Sequence, residues 1–507
     1  MRRLPVASAA LLLAVLALAG CVGSWSPGPV ATSVPTGETV PPALEPYYHQ
    51  LLEWEACGPG LQCATATAPL DWDDPAAASI ELSLARRPAT GQRLGSLLVD
   101  PGGPGGSGVD FVGAGPTVAT TARLNQRYDV VGIDPRGVRG STEVVCAADD
   151  AARDRYAYGI VPGERGGAEW LAGYAEKQAA WAAGCLERTG ELLGHVDTVS
   201  AARDLDLLRA VLGDERLNYL GYSYGTFLGA SYAELYPERV GRLVLDGGID
   251  PSLSLTEVVV GQAVGFESAY RAWLRSCLGQ ADCPFGGTVE EAMQRTARIL
   301  AAVDTSPLRG ADGRLLGLDT LYSALIVPLY DPANWGYLTQ LLTEVQQGQT
   351  ATAFLLADSL SGRLRDGSYA TNQLEAALAV NCLDFPADAS PEGLRAEAER
   401  LAAEAPVFGP VMAYGALACA AWPVGPPAER GPIVAPGSPD ILVIGTTGDP
   451  ATPYAWSEAL AAQLERGHLI GYEGEGHTAY ARASACVDDA VDAFLIDGAL
   501  PEEGLVC

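Results

Sequence analysis

The chain has 507 residues, 48% of them hydrophobic, and a formal net charge of −30. Its length exceeds one average domain, so one large core with an insertion, or two domains, is expected. The acidity, with Lys177 as the single lysine among 32 basic residues, argues against a nucleic-acid partner.

The N-terminus carries Arg2-Arg3, then an apolar run over residues 7–19 that is too short for an ordinary membrane span. It ends in Leu18-Ala19-Gly20-Cys21. This resembles a bacterial lipobox, in which the leader is cut before the cysteine and the thiol takes lipid. Residues 1–20 then read as a signal peptide and Cys21 as the lipidation site. Residues 21–45, rich in Pro, Gly, Ser and Thr, read as a flexible tether. Such a chain is exported and anchored to the outer face of the membrane rather than spanning it. An ordinary secretory signal is the alternative.

Eleven cysteines minus Cys21 leave an even number, which suits disulfides in an oxidising compartment. Nearest-neighbour pairing would give Cys57–Cys63, Cys146–Cys185, Cys277–Cys283, Cys382–Cys419 and Cys486–Cys507, but sequence alone leaves the connectivity open. No C-x-x-C pair or His–Cys cluster suggests a metal site.

Order is expected from about Pro46. Residues 80–85 alternate as a half-buried strand does, and Leu97-Leu98-Val99 reads as a fully buried one. The latter runs into Asp100-Pro101-Gly102-Gly103-Pro104-Gly105-Gly106-Ser107-Gly108. This loop lacks the nucleotide-binding fingerprints, and it reads as an oxyanion-hole loop whose glycines let backbone N–H groups approach a carbonyl. Pro104 has no N–H, so Gly103 is the expected donor. Residues 128–133 form the next buried strand, followed by the turn Asp134-Pro135-Arg136-Gly137. Residues 201–212 read as a helix.

Residues 217–220 are strand-like and meet Gly221-Tyr222-Ser223-Tyr224-Gly225, after which a helix begins. With 59 glycines in the chain, a bare G-x-S-x-G is weak. Between a strand and a helix, however, it is the context of a nucleophile elbow. Ser223 would then be lifted clear of the sheet edge, and the Tyr224 N–H would join Gly103 as an oxyanion donor at a helix N-terminus. Residues 242–246 give another strand. Strands alternating with helices argue for a doubly wound, mostly parallel α/β sheet.

From residue 251 to 431 the pattern is helical. Thr288 with Glu291 forms a capping box ahead of Met293, Ala297 and Leu300, and Ser390-Pro391 opens another helix. This stretch reads as a lid inserted before the penultimate strand, between core segments 46–250 and 432–507. Buried strands return at residues 441–444 and 467–472.

A serine nucleophile needs a base. Of His49, His195, His468 and His477, only His477 lies in a loop after the last strand. Asp449, after the penultimate strand, would orient it. The order Ser223, Asp449, His477 is that of α/β-hydrolases. Neither metal nor organic cofactor is implied.

The segments LLVDPGGPGGSG, YDVVGIDPRG, LNYLGYSYGTFLGASYAELYP, LVLDGG, GTTGDPATP and GEGHTAY, with the tail from Cys486 to Cys507, carry a family likeness. From about Tyr47 onward the chain resembles the secreted tripeptidyl aminopeptidases of actinobacteria, including lipoprotein members, within the proline-iminopeptidase-like α/β-hydrolases. The resemblance implies a serine exopeptidase acting on peptides with free N-termini, with Ser223, Asp449 and His477 as its triad. Pro101 replaces the histidine of the iminopeptidase HGGPG loop. An aminopeptidase must also receive the substrate ammonium on a carboxylate. The family likeness points to Asp384, with helix capping as its other reading, and Glu473 and Glu475 on the histidine loop are further candidates. An esterase or lipase of the same fold, or a non-catalytic peptide-binding lipoprotein, are the rival readings.

Overall fold

A computed structural model describes residues 31–427 and 430–507; the signal peptide and Cys21 lie outside the described residues. Among these, ten strands make one sheet: β1 (Ala31–Thr32), β2 (Glu53–Gly58), β3 (Leu61–Pro69), β4 (Ser79–Arg87), β5 (Gly95–Asp100), β6 (Tyr128–Ile133), β7 (Leu217–Tyr222), β8 (Val240–Asp246), β9 (Ile441–Gly448) and β10 (Gly467–Glu475). Their spatial order is β1-β2-β3-β4-β6-β5-β7-β8-β9-β10. The run from β6 to β10 is parallel throughout, while β1 to β4 form an antiparallel extension that joins β6.

Alternation along the buried strands divides the core into two layers. Leu98, Leu217, Tyr219, Ile441 and Val443 enter one apolar cluster with helices Thr198–Val211 and Tyr224–Leu235. Leu97, Val99, Leu220, Tyr222, Leu442 and Ile444 enter the other, with helix Ala485–Asp497. Both faces of the central strands are therefore covered, which is why their sequences read as continuous apolar runs.

Between β8 and β9 the chain is mainly helical and builds its own core around Phe266, Tyr270, Trp273, Leu321, Leu338 and Phe408. Helices Leu255–Cys277 and Val289–Thr305 both open on capping boxes, Ser254 with Glu257 and Thr288 with Glu291. Ser390 caps helix Pro391–Glu404. A small two-stranded hairpin, Leu308–Arg309 with Leu315–Leu316, interrupts the helices. A second excursion, between β6 and β7, contains helix Ala168–Thr189 with Trp170, Trp181 and Cys185 buried. The disulfides are Cys57–Cys63, Cys146–Cys185, Cys277–Cys283, Cys382–Cys419 and Cys486–Cys507. Among the described residues no helix is long and apolar enough to cross a membrane.

One expectation needs correcting. Residues 31–45, the described part of the stretch 21–45 that reads as a flexible tether, are docked on the core. Thr36 N–H bonds to the Ala210 carbonyl at 2.9 Å. Glu38 accepts from Arg209 Nη2 at 3.0 and 2.9 Å and pairs with Arg239, which also bonds Asp206 at 2.9 Å. The physical reason is the buried Arg209, whose guanidinium requires more than the single carboxylate of Asp206. A Pro- and Thr-rich composition says nothing of such a distant partner. Glu38→Ala is expected to lower stability by about 1–3 kcal/mol, between the values for exposed and buried ion pairs. Urea unfolding would measure the loss, with kcat unchanged.

Candidate active site

β7 ends at Tyr222 and helix Tyr224–Leu235 starts two residues later, leaving Ser223 to make the whole turn. Its backbone is at φ 56°, ψ −120°, a region that a side-chain-bearing residue occupies only when its surroundings enforce it. The glycines on either side allow the turn. A Cβ on Gly221 would stand 2.2 Å from the Gly225 carbonyl oxygen, and one on Gly225 would stand 2.9 Å from Asp100. The Ser223 N–H is fixed to the Asp246 carbonyl at 2.8 Å, and its own carbonyl accepts from Thr226 N–H at 2.8 Å and Thr226 Oγ1 at 2.6 Å. Ser223 is half-exposed, and the Gly103 backbone in the loop after β5 is exposed. The N–H groups of Gly103 and Tyr224 take no partner among the described residues.

His477 follows β10, and its Nδ1 lies 2.9 Å from both Asp449 oxygens. Asp449 follows β9, is buried, and accepts from the N–H groups of Ala451 at 2.9 Å, Thr452 at 2.8 Å and Thr478 at 3.2 Å. Thr452 Oγ1 adds a bond to Asp449 at 3.0 Å and stands 3.3 Å from His477 Nδ1. Four donors and a ring nitrogen around one carboxylate fix it in direction. The His477 N–H bonds to the carbonyl of Tyr330, a lid residue, at 2.8 Å, and the Tyr330 ring meets the imidazole edge-on at 5.3 Å. His477 also lies over the end of β8, since a Cβ on Gly247 would stand 3.4 Å from its Cε1. The other histidines are placed elsewhere: His49 by the Glu38 carbonyl, His195 near Asp71, and His468 on Asp440.

Ser223, Asp449, His477, Gly103 and Tyr224 thus gather at the C-terminal edge of the parallel strands, where α/β sheets place their sites. The carboxylates expected to receive a substrate ammonium lie on other elements. Asp384 is buried, and its two oxygens accept from Thr198 N–H at 3.0 Å and Thr198 Oγ1 at 2.6 Å. It satisfies the first N–H of helix Thr198–Val211 from another element. Burial pushes it up to about 6. Glu473 is exposed on β10, and Glu475 is half-buried beside Gly448.

Asp246 and Tyr330 did not stand out in the sequence. Asp246 is fully buried at the end of β8, where its carboxylate accepts from Ala479 N–H at 3.0 Å and Tyr480 N–H at 2.8 Å. Its position at a strand end followed by two glycines was the one available signal. Tyr330 lies 147 residues from the histidine it touches (477 − 330), and no local pattern reports such a contact. Among the described residues no group of three or more His, Cys, Asp or Glu is placed to hold a metal.

Gly221→Ala tests the elbow, because the carbonyl it would strike is backbone and cannot rotate away. The variant is expected to lose activity and at least about 3 kcal/mol of stability, read together by hydrolysis assay and thermal unfolding.

A family model described as TAP-like protein matches residues 405–507. Serine protease Hip1 of Mycobacterium tuberculosis is 36% identical over 91% of this chain and 92% of that protein. Carboxylesterase B of the same species is 36% identical over 100% of this chain and 99% of its own length. Tripeptidyl aminopeptidase of Streptomyces coelicolor is 31% identical over 90% and 86%. With a strand–serine–helix elbow, a buried Asp–His pair beyond it, and this likeness along nearly its full length, the chain belongs to the TAP-like family of α/β-hydrolases and is a serine hydrolase.

Proposed function

We propose that the protein is an exported serine aminopeptidase that removes short peptides or single residues from free N-termini. The observation that carries this reading is the His477–Asp449 pair at 2.9 Å beyond the Ser223 turn, in a chain similar to a tripeptidyl aminopeptidase and a serine protease. His477 takes the Ser223 proton as the hydroxyl attacks the scissile carbonyl. Asp449 fixes the imidazole tautomer and stabilises the imidazolium as it forms. The Gly103 and Tyr224 N–H groups receive the oxyanion. His477 then protonates the leaving amine, and water releases the acyl-enzyme. The lid over the site limits how many residues fit ahead of the cut. Cys21 would carry the lipid that holds the exported enzyme at the outer face of the membrane, and the disulfide set is consistent with that compartment.

The second reading is an esterase. It shares every step up to the leaving group, and the likeness to carboxylesterase B supports it.

Matched fluorogenic peptides with free and acetylated N-termini, beside a simple ester, separate the two. The aminopeptidase reading expects cleavage of free-amine peptides only. Preference for the ester moves the assignment to the second reading, and equal cleavage of blocked peptides moves it to an endopeptidase. Ser223→Ala is expected to lose about 10⁴-fold or more in kcat, and Asp449→Asn about 10⁴-fold, with KM little changed. Activity surviving in the Ser223 variant would remove both readings.

A further inference from the structure

Asp100 ends β5 directly beside the glycine loop, and no step above uses it. It is 1% exposed. Its Oδ1 accepts the Gly102 N–H at 2.7 Å. A Cβ on Gly225 would stand 2.9 Å from that same oxygen. Gly102 precedes Gly103, and Gly225 follows Tyr224, so the carboxyl is wedged between the two backbone segments that hold the oxyanion donors. The loop in turn presses on the elbow: a Cβ on Gly102 would stand 2.4 Å from the Tyr222 carbonyl oxygen and 3.0 Å from the Tyr224 nitrogen. The second oxygen, Oδ2, is buried without a hydrogen-bond partner. A carboxylate left so under-solvated is costly, and an apolar side chain of similar size would avoid the cost. The Gly102 bond is what an apolar residue could not supply.

We propose that Asp100 is a positioning residue for the oxyanion hole, holding Gly102 so that the Gly103 and Tyr224 N–H groups converge on one point. The inference rests on the Ser223 reading above. Burial pushes this carboxyl up to about 7, with Asp134 acting in the same sense and the Gly102 bond against it. The other titratable groups facing it are Tyr219 on β7 and Tyr224 at the head of the next helix. None of these is a cation that would favour the ionised form. Below about 7 the group is neutral and only its hydrogen bond acts on the loop. Above it, a negative charge stands beside the place where negative charge develops on the substrate, and this opposes the reaction. The resulting fall in kcat with rising pH is opposite in sense to the limb of a general base, which gains activity as pH rises.

The test compares the full-length enzyme with Asp100→Asn and Asp100→Ala. Asparagine keeps an acceptor for Gly102 but cannot ionise. It is expected to keep kcat within about threefold at pH 6 and to lose the alkaline fall. Alanine is expected to lower kcat about 10²-fold with KM within about threefold. A peptide trifluoromethyl ketone, whose hemiketal oxygen needs the hole, should bind the asparagine variant as it binds the wild type, and the alanine variant more weakly. An alkaline fall retained by the asparagine variant overturns the proposal even if the alanine variant fails to fold. So does unchanged ketone affinity in a folded alanine variant. Hydrolysis surviving in Ser223→Ala would instead overturn the serine reading itself.

Discussion

The backbone of Ser223, at φ 56° and ψ −120°, is the constraint around which the rest is arranged. An L-residue does not rest there unaided. It is held because its N–H is tied to β8 through Asp246, its carbonyl is bonded twice by Thr226, and two glycines let strand and helix meet within one residue. A strained turn of this kind needs stiff elements on both sides. β7 supplies one of them, paired to β5 and β8 and buried on both faces. The helix Tyr224–Leu235 supplies the other, with ten of its twelve residues buried.

Asp246 links that turn to the histidine. Its carbonyl holds the Ser223 N–H, while its carboxylate holds the two N–H groups that follow Thr478. One residue at the end of β8 thereby fixes the spacing between the nucleophile's backbone and the loop of the base. Burial pushes this carboxyl up to about 6, and the bonds from Tyr480 and Ala479 act against that rise. The groups that recover part of its desolvation are the ones that hold the histidine loop in place.

The sequence carried what depends on short range. β5, β7 and β9 were readable because strands buried on both faces leave unbroken apolar runs, and the elbow because its glycines are sterically obligatory. Asp449 and His477 were readable because connection order in this fold puts them after named strands. Other features depend on contacts far apart in the chain. The helix Ala168–Thr189 excursion and the antiparallel strands β1 to β3 went unrecognised, β1 being two residues long and β2 exposed along most of its length. Asp384 bonds Thr198, 186 residues away, and a capping carboxylate looks the same in sequence as a substrate-binding one. Glu38 likewise lies 171 residues from Arg209, so a docked segment read as a tether.

The helical insertion between β8 and β9 also braces these groups. Its first helix, Leu255–Cys277, lies on the loop that carries Asp449: a Cβ on Gly265 would stand 2.4 Å from the Pro450 carbonyl oxygen, and Gln262 Nε2 donates to the Ala451 carbonyl at 3.2 Å. Ala451 is itself part of the lid's apolar core. Tyr330, from a later turn of the same insertion, holds the His477 backbone and faces its ring. A side chain at Gly265 would push the helix off the acid's loop, and nothing local to that loop would replace the contact. Acid and base are therefore each braced by the sheet on one side and by the lid core on the other. The nucleophile is fixed by the sheet and its following helix, so a displacement of the lid changes the Asp449–His477 pair before it changes Ser223.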